Sequence, residues 1–164
     1  MLAETAVEAI IATASSARCD VLVVDSMQTL VAESQTGAAG AVAQLRECVG
    51  LLTRFAKTSG TSVFIVGHVT KEGVIAGPRV VEHMVDTVLY FESDPSSRYS
   101  IVRAVKNRFG AASEMGMFAM REDGFHEITN PSAIFLSRDA KSVAGSLVKV
   151  PWVGSRTMLV DDLA

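Results

Sequence analysis

"DVLVVDS", residues 20–26, sets four apolar residues between Asp20 and the pair Asp25-Ser26. A short β-branched run of this kind reads as a strand buried on both faces, the mark of a parallel sheet. "TSVFIVGH" (61–68) repeats the pattern. Between the two strands, "ESQTGAAGA" (33–41) is small, polar and glycine-rich, and reads as a mobile loop. Val42, Leu45, Cys48, Val49, Leu52, Phe55 and Ala56 then form one helical stripe, which predicts a helix over 41–58 ended by Gly60. Upstream, Thr5 and Glu8 have capping-box spacing, and Val7, Ile10, Ile11 and Ala14 extend it into a helix over 5–17. The order helix, strand, helix, strand implies a parallel sheet covered by helices.

The texture then changes. "DTVLYFES" (86–93), "YSIVRAVKNR" (99–108) and "EMGMFAM" (114–120) are strand-like, with hairpin-length turns at "DPSS" and "FGAAS". This half is expected to be antiparallel or mixed. "NPSAIFLS" (130–137) reads as a short helical turn, 138–142 as a polar linker, and "SLVKVPWVGSRTMLVDDLA" (146–164) as a further two-stranded pattern. The expected class is α/β: a mostly parallel sheet with helices on both faces and antiparallel C-terminal strands.

A length of 164 residues suits one domain, or one domain and part of another. The net charge of −3 argues against a surface coated in positive charge for indiscriminate nucleic-acid binding, but leaves room for a local basic strip. No uncharged apolar run approaches the ~18 residues of a membrane span. "MLAETAVEAI" has no basic region ahead of an apolar one, so a cytoplasmic protein is expected, with Cys19 and Cys48 as thiols. His68, His83 and His126 lack metal-site spacing, and no metal is assigned to them.

In parallel α/β sheets, ligands bind at the carboxyl ends of strands. Two of these ends are Asp25-Ser26 and Gly67-His68. An aspartate there can hold Mg²⁺ through water, as in nucleotide hydrolases, or can simply begin a turn. His68 could sense a phosphate or cover a sheet edge. Lys71 and Arg79, within "GHVTKEGVIAGPRV" (67–80), could grip a phosphodiester backbone or stand on a solvated loop. A third end is "KNRFG" (106–110). Lys106 and Arg108, two residues apart, share a face of an extended chain and would point at an anion, with Phe109-Gly110 fixing the turn.

"DVLVVDSMQTL", "VFIVGHVTKEGVIAGPRVVEHMVDTVLYFE" and "RAVKNRFG", in this order, resemble the bacterial RadA/Sms family of DNA-repair ATPases. The likeness is nearly collinear from "AET" (3–5) through "NPSAIFLS". It implies a RecA-like P-loop ATPase core over 1–137, a linker over 138–142, and over 143–164 the start of a truncated Lon-protease-like domain. There, "WVGSRTMLVDDLA" departs from the family's usual "EGTRPLLVEVQAL". The resemblance implies ATP and Mg²⁺ as cofactors, single-stranded or branched DNA as partner, a hexameric ring, and the recombinase RecA as a further partner. The family's zinc belongs to an N-terminal finger, and these residues hold neither a four-cysteine module nor a GxxxxGK[ST] phosphate loop. The family's water-activating glutamate lies upstream of "AET". The expectation is a truncated core, inactive alone.

Residue by residue, the resemblance makes Asp25 the magnesium carboxylate, with Ser26, Gln28 and His68 beside the nucleotide. Lys71, Arg79 and the loop at 33–41 would meet DNA. Lys106 and Arg108 would reach the γ-phosphate held by a neighbouring subunit, or else contact DNA. Two other readings are a non-catalytic DNA- or partner-binding remnant, and a different ATPase of the superfamily, such as a recombinase or a circadian-clock ATPase. "KNRFG" and "HVTKEG" speak against the last.

Overall fold

A computed structural model of the chain describes residues 1–68, 78–93 and 98–130, and the backbone of four short strands between 146 and 163. The expected turn at 94–97, the linker at 138–142 and, past Asn130, the helical turn at 130–137 lie outside the described residues. The chain divides into two compact units, Met1–Val85 and Asp86–Ala164.

In the first unit, helix α1 (Val7–Ala17) and helix α2 (Val42–Ser59) accompany strands β1 (Val21–Asp25) and β2 (Ser62–Val66). The strands pair in parallel, from Val21 opposite Ser62 to Asp25 opposite Val66. α2 ends where Gly60 turns left-handed at φ 77°, a conformation that glycine enters without Cβ strain. α1 starts two residues later than the spacing predicts, and the expected capping box does not form. Ala6 is instead bridged to Val31 in extended form, and Val31 exchanges 3.0 Å backbone hydrogen bonds with Thr5 and Val7. Glu8 accepts the Glu33 amide at 3.1 Å rather than reaching back. Glu4 takes the free donors: its Oε1 accepts the amides of Ala6 and Thr5, which holds this exposed carboxyl below its usual range.

Val7 and Ile10 from α1, Leu45, Cys48, Val49 and Leu52 from α2, and Val24 from β1 form one buried cluster. Leu22, Val63 and Ile65 pack against it. Both helices therefore cover the same side of the strand pair. The opposite side carries Val21, Val23 (62% exposed), Phe64 (56% exposed) and Val66, and no described element of this unit covers it. The reading of 20–26 as buried on both faces is corrected for this unit. An apolar run reports what a strand could bury, not how many layers are present to bury it.

The second unit holds a four-stranded antiparallel sheet in the order β3 (Thr87–Ser93), β4 (Tyr99–Asn107), β5 (Met115–Arg121), β6 (Gly124–Glu127). The α/β class holds, with parallel pairing among the described residues limited to β1 with β2 and the isolated Ala6–Val31 bridge. β6 is an element the sequence reading missed, although Asp123-Gly124 is a hairpin signal and Gly124 takes φ 121°. Phe125 on β6 meets Phe91 and Phe118 edge-on, at centroid distances of 5.6 and 6.5 Å. Short antiparallel pairs, β7 (Ser146–Lys149) with β10 (Val160–Leu163) and β8 (Trp152–Val153) with β9 (Arg156–Thr157), account for the pattern expected at 146–164.

Leu52 is fully buried, so Leu52→Ala should cost about 2–5 kcal/mol, read as a lower urea midpoint with an unchanged slope. A loss under half of that range would mean that the core collapses around the gap. Burial, and then the charges of Glu8 and Glu47, raise the Cys48 thiol from 9.0 to about 11. The unfolded thiol ionises first, so this contribution to stability is complete below pH 9 and disappears as pH rises through 11. In Cys48→Ala, that component of the alkaline loss should be missing from denaturation curves measured between these pH values.

Candidate functional site

Parallel pairing brings the carboxyl ends of β1 and β2 to one edge. Asp25 is exposed there, and among the described residues its carboxylate makes no hydrogen bond or ion pair. The Asp25–Ser26 peptide is cis. The Ser26 carbonyl then accepts both the amide of Thr29 (3.2 Å) and its hydroxyl (2.9 Å), closing a 3₁₀ turn over Met27–Thr29. This turn aims Gln28 across to the segment just past β2, where its Nε2 donates to the His68 carbonyl at 3.3 Å. A Cβ on Gly67 would lie 2.7 Å from the Met27 Cε, the movable end of a flexible side chain, and 3.7 Å from Gln28 Nε2. The structure thus gathers Asp25, Ser26, Gln28 and His68. His68 joins through its backbone, and its ring is exposed.

Gln28 Oε1 is buried without a hydrogen-bond partner. A buried acceptor of this kind calls for a donor. The Asp25 carboxylate, by contrast, is exposed and open to the waters of a hydrated cation. Magnesium keeps several of its waters, so the residues present fit a water-mediated site. Among the described residues, no three His, Cys, Asp or Glu side chains gather to ligate a metal directly.

Gln44 was not singled out by sequence reasoning. It is 2% exposed in the middle of the apolar stripe of α2. Its Oε1 accepts the Ala32 amide at 2.8 Å, and its Nε2 donates to the carbonyls of Gln35 (3.0 Å) and Gly37 (3.3 Å). The loop expected to be mobile over 33–41 is therefore tied to α2 at its base. The available signal was a glutamine wedged between Val42 and Leu45, where a buried polar side chain must find partners.

In the second unit, β4 runs into "KNRFG". Lys106 pairs with Val88 and Ala104 with Leu89, so Val105 is the extra residue of a bulge. That bulge shifts the alternation and moves Lys106 off the face of Ala104. The turn is fixed by Asn107 rather than by Phe109: Asn107 Oδ1 accepts the Phe109 amide at 3.2 Å, and its Nδ2 donates to the Ala111 carbonyl at 3.3 Å. Phe109 itself stands 81% exposed. Arg108 Nη1 lies 2.9 Å from Asp86 Oδ1, a partner the sequence did not suggest. Lys71 lies outside the described residues, and of Arg79 only the backbone is described, in helix α3 (Pro78–Glu82).

This fold is that of RecA-like ATPase cores. A RadB recombinase superposes with a TM-score of 0.51 at 15% identity, over 73% of this chain and 59% of its own. A KaiC-like protein from Pyrococcus horikoshii gives 0.54 at 15% identity, over 74% and 55%. No family model matches the chain. The DNA repair protein RadA of Pseudomonas aeruginosa is 55% identical over 161 residues, 98% of this chain and 36% of that protein. RadA of Bacillus subtilis is 50% identical and RadA of Escherichia coli 47%, each over 98% of this chain and 35% of its own. Over 98% of its length the chain is similar to these bacterial RadA DNA repair proteins, and it spans about a third of their length.

Gln44→Leu should cost roughly 1–3 kcal/mol, because it strands the buried Ala32 amide and two loop carbonyls. Hydrogen exchange should quicken first at Ala32. Unchanged protection there would mean that the loop base is held by something other than this side chain.

Proposed function

We propose that the complete protein bearing this segment is a DNA-dependent ATPase of the RadA type. It would act in the cytoplasm, in recombinational repair, as a ring of six on single-stranded or branched DNA, with RecA as a partner. The observation that supports this reading most is 55% identity to a RadA protein across 98% of the chain. Magnesium, when bound with ATP, would offset phosphate charge at the strand edge. Asp25 would hold it through water, with Ser26, Gln28 and His68 bordering the nucleotide. The 164 residues contain no GxxxxGK[ST], so amides from other residues must cradle the phosphates, and these residues alone should not turn ATP over.

Lys106 and Arg108 carry the reaction across a subunit boundary in this reading. An arginine keeps its charge at any working pH and presents five donors in a planar fork, which suits the equatorial oxygens of a transferring phosphoryl group. Lysine adds a point charge. Lys71, Arg79 and the loop at 33–41 would face DNA.

In a complete ring, Arg108→Ala should lower DNA-stimulated turnover by about 10³-fold while its own pocket still binds nucleotide. Mixed with a second variant defective only in its phosphate loop, it should recover activity, since some interfaces then join an intact pocket to an intact arginine. If Arg108 instead grips DNA, basal turnover will be unchanged, more DNA will be needed for stimulation, and mixing will restore nothing.

A further inference from the structure

Arg108 follows the last residue of β4, at the start of an exposed turn where a long side chain would ordinarily sample many rotamers. Asp86 precedes the first residue of β3. The outermost pair of the two strands is Thr87 with Asn107, so Asp86 and Arg108 stand one step beyond it. Two bonds join them: the Arg108 amide donates to the Asp86 carbonyl at 3.0 Å, and Arg108 Nη1 donates to Asp86 Oδ1 at 2.9 Å. One residue thus holds both the backbone and the guanidinium of the other.

The grip is one-sided. Only Nη1 is engaged, and among the described residues Nη2 and Nε of Arg108 have no protein acceptor. The Arg108 side chain is 54% exposed, and its unused donors are unclaimed by any described protein group. A bidentate carboxylate would have consumed those donors, and no carboxylate at all would have left the fork unoriented.

We propose that Asp86 is a positioning residue that presents the free edge of the Arg108 guanidinium to a polyphosphate. This rests on the reading of Arg108 as a phosphate-contacting residue, and adds what aims it. Asp86 touches no phosphate. It acts by restricting the fork before the anion arrives, which lowers the ordering cost of binding.

The test uses the 164-residue chain and inorganic triphosphate, followed by NMR at the Arg108 Nε–H. Wild type should show a saturable shift at millimolar triphosphate. Asp86→Ala should weaken that affinity roughly three- to fivefold, the scale of an exposed charge pair. Asp86→Asn, which keeps an acceptor oxygen in place, should recover part of the loss. Amide shifts of β5 and β6 should stay at wild-type positions in both variants, so that the loss cannot be assigned to unfolding. Equal or tighter binding by Asp86→Ala overturns the proposal, and tighter binding would make Asp86 a competitor for the guanidinium. If Arg108→Ala, titrated with triphosphate by calorimetry beside wild type, binds as well as wild type does, or if wild type shows no Nε–H shift, the phosphate reading of Arg108 fails instead, and the proposal with it.

Discussion

Parallel pairing of Val21–Asp25 with Ser62–Val66 is the constraint on which the first unit depends. Two parallel strands cannot be joined by a tight turn. The chain must return along the sheet, and α2 makes that return. The helix stays put because Leu45, Cys48, Val49 and Leu52 are withdrawn from water against Val24 and the residues around it. Once the strands run the same way, both carboxyl ends fall at one edge, and Asp25, Gln28 and His68 meet there. The polar cluster is a consequence of the apolar packing beneath it.

The strand pair is packed unequally. Its covered side carries the core, while Val23 and Phe64 stay in water on the other. Parallel sheets are ordinarily covered on both faces, and apolar area left exposed forgoes roughly 25 cal/mol per Å². The composition of β1 and β2 therefore suits a thicker architecture than the described residues of this unit supply. The second unit has a comparable surface, where Phe91 and Phe125 remain largely exposed while stacking edge-on.

Periodicity located the long elements well. α2 was read within one residue at each end, because its stripe and Gly60 are both local signals, and β1 and β2 were bounded by Asp and Gly for the same reason. What periodicity could not supply was competition among partners. Thr5 and Glu8 have the spacing of a cap, yet Val31 reaches the same backbone first, from 25 residues away. "KNRFG" was legible as a cationic turn. Asn107 as its clamp and Asp86 as the partner of Arg108 depend on hairpin register and on a bulge at Val105, which a one-dimensional pattern does not encode. Gln28 was placed near the site by resemblance alone. Its bond to the His68 carbonyl and its unsatisfied oxygen are visible only in three dimensions.

The two charged sites differ in how they are kept. Asp25 stands free of charged partners among the described residues, whereas Arg108 is paired. An exposed pair such as Arg108–Asp86 contributes about 0–1 kcal/mol, too little to matter for a fold whose core residues contribute several times more. Its value must lie in geometry. A carboxylate fixed at the end of a strand needs no second residue to aim it, because the backbone of β1 and the turn at Met27–Thr29 already do so. An arginine has four rotatable bonds between its backbone and its charge, and orienting it takes a contact at the far end. Asp86 supplies that contact, since the register of β3 with β4 sets it one step beyond the Thr87–Asn107 pair, within 2.9 Å of Nη1.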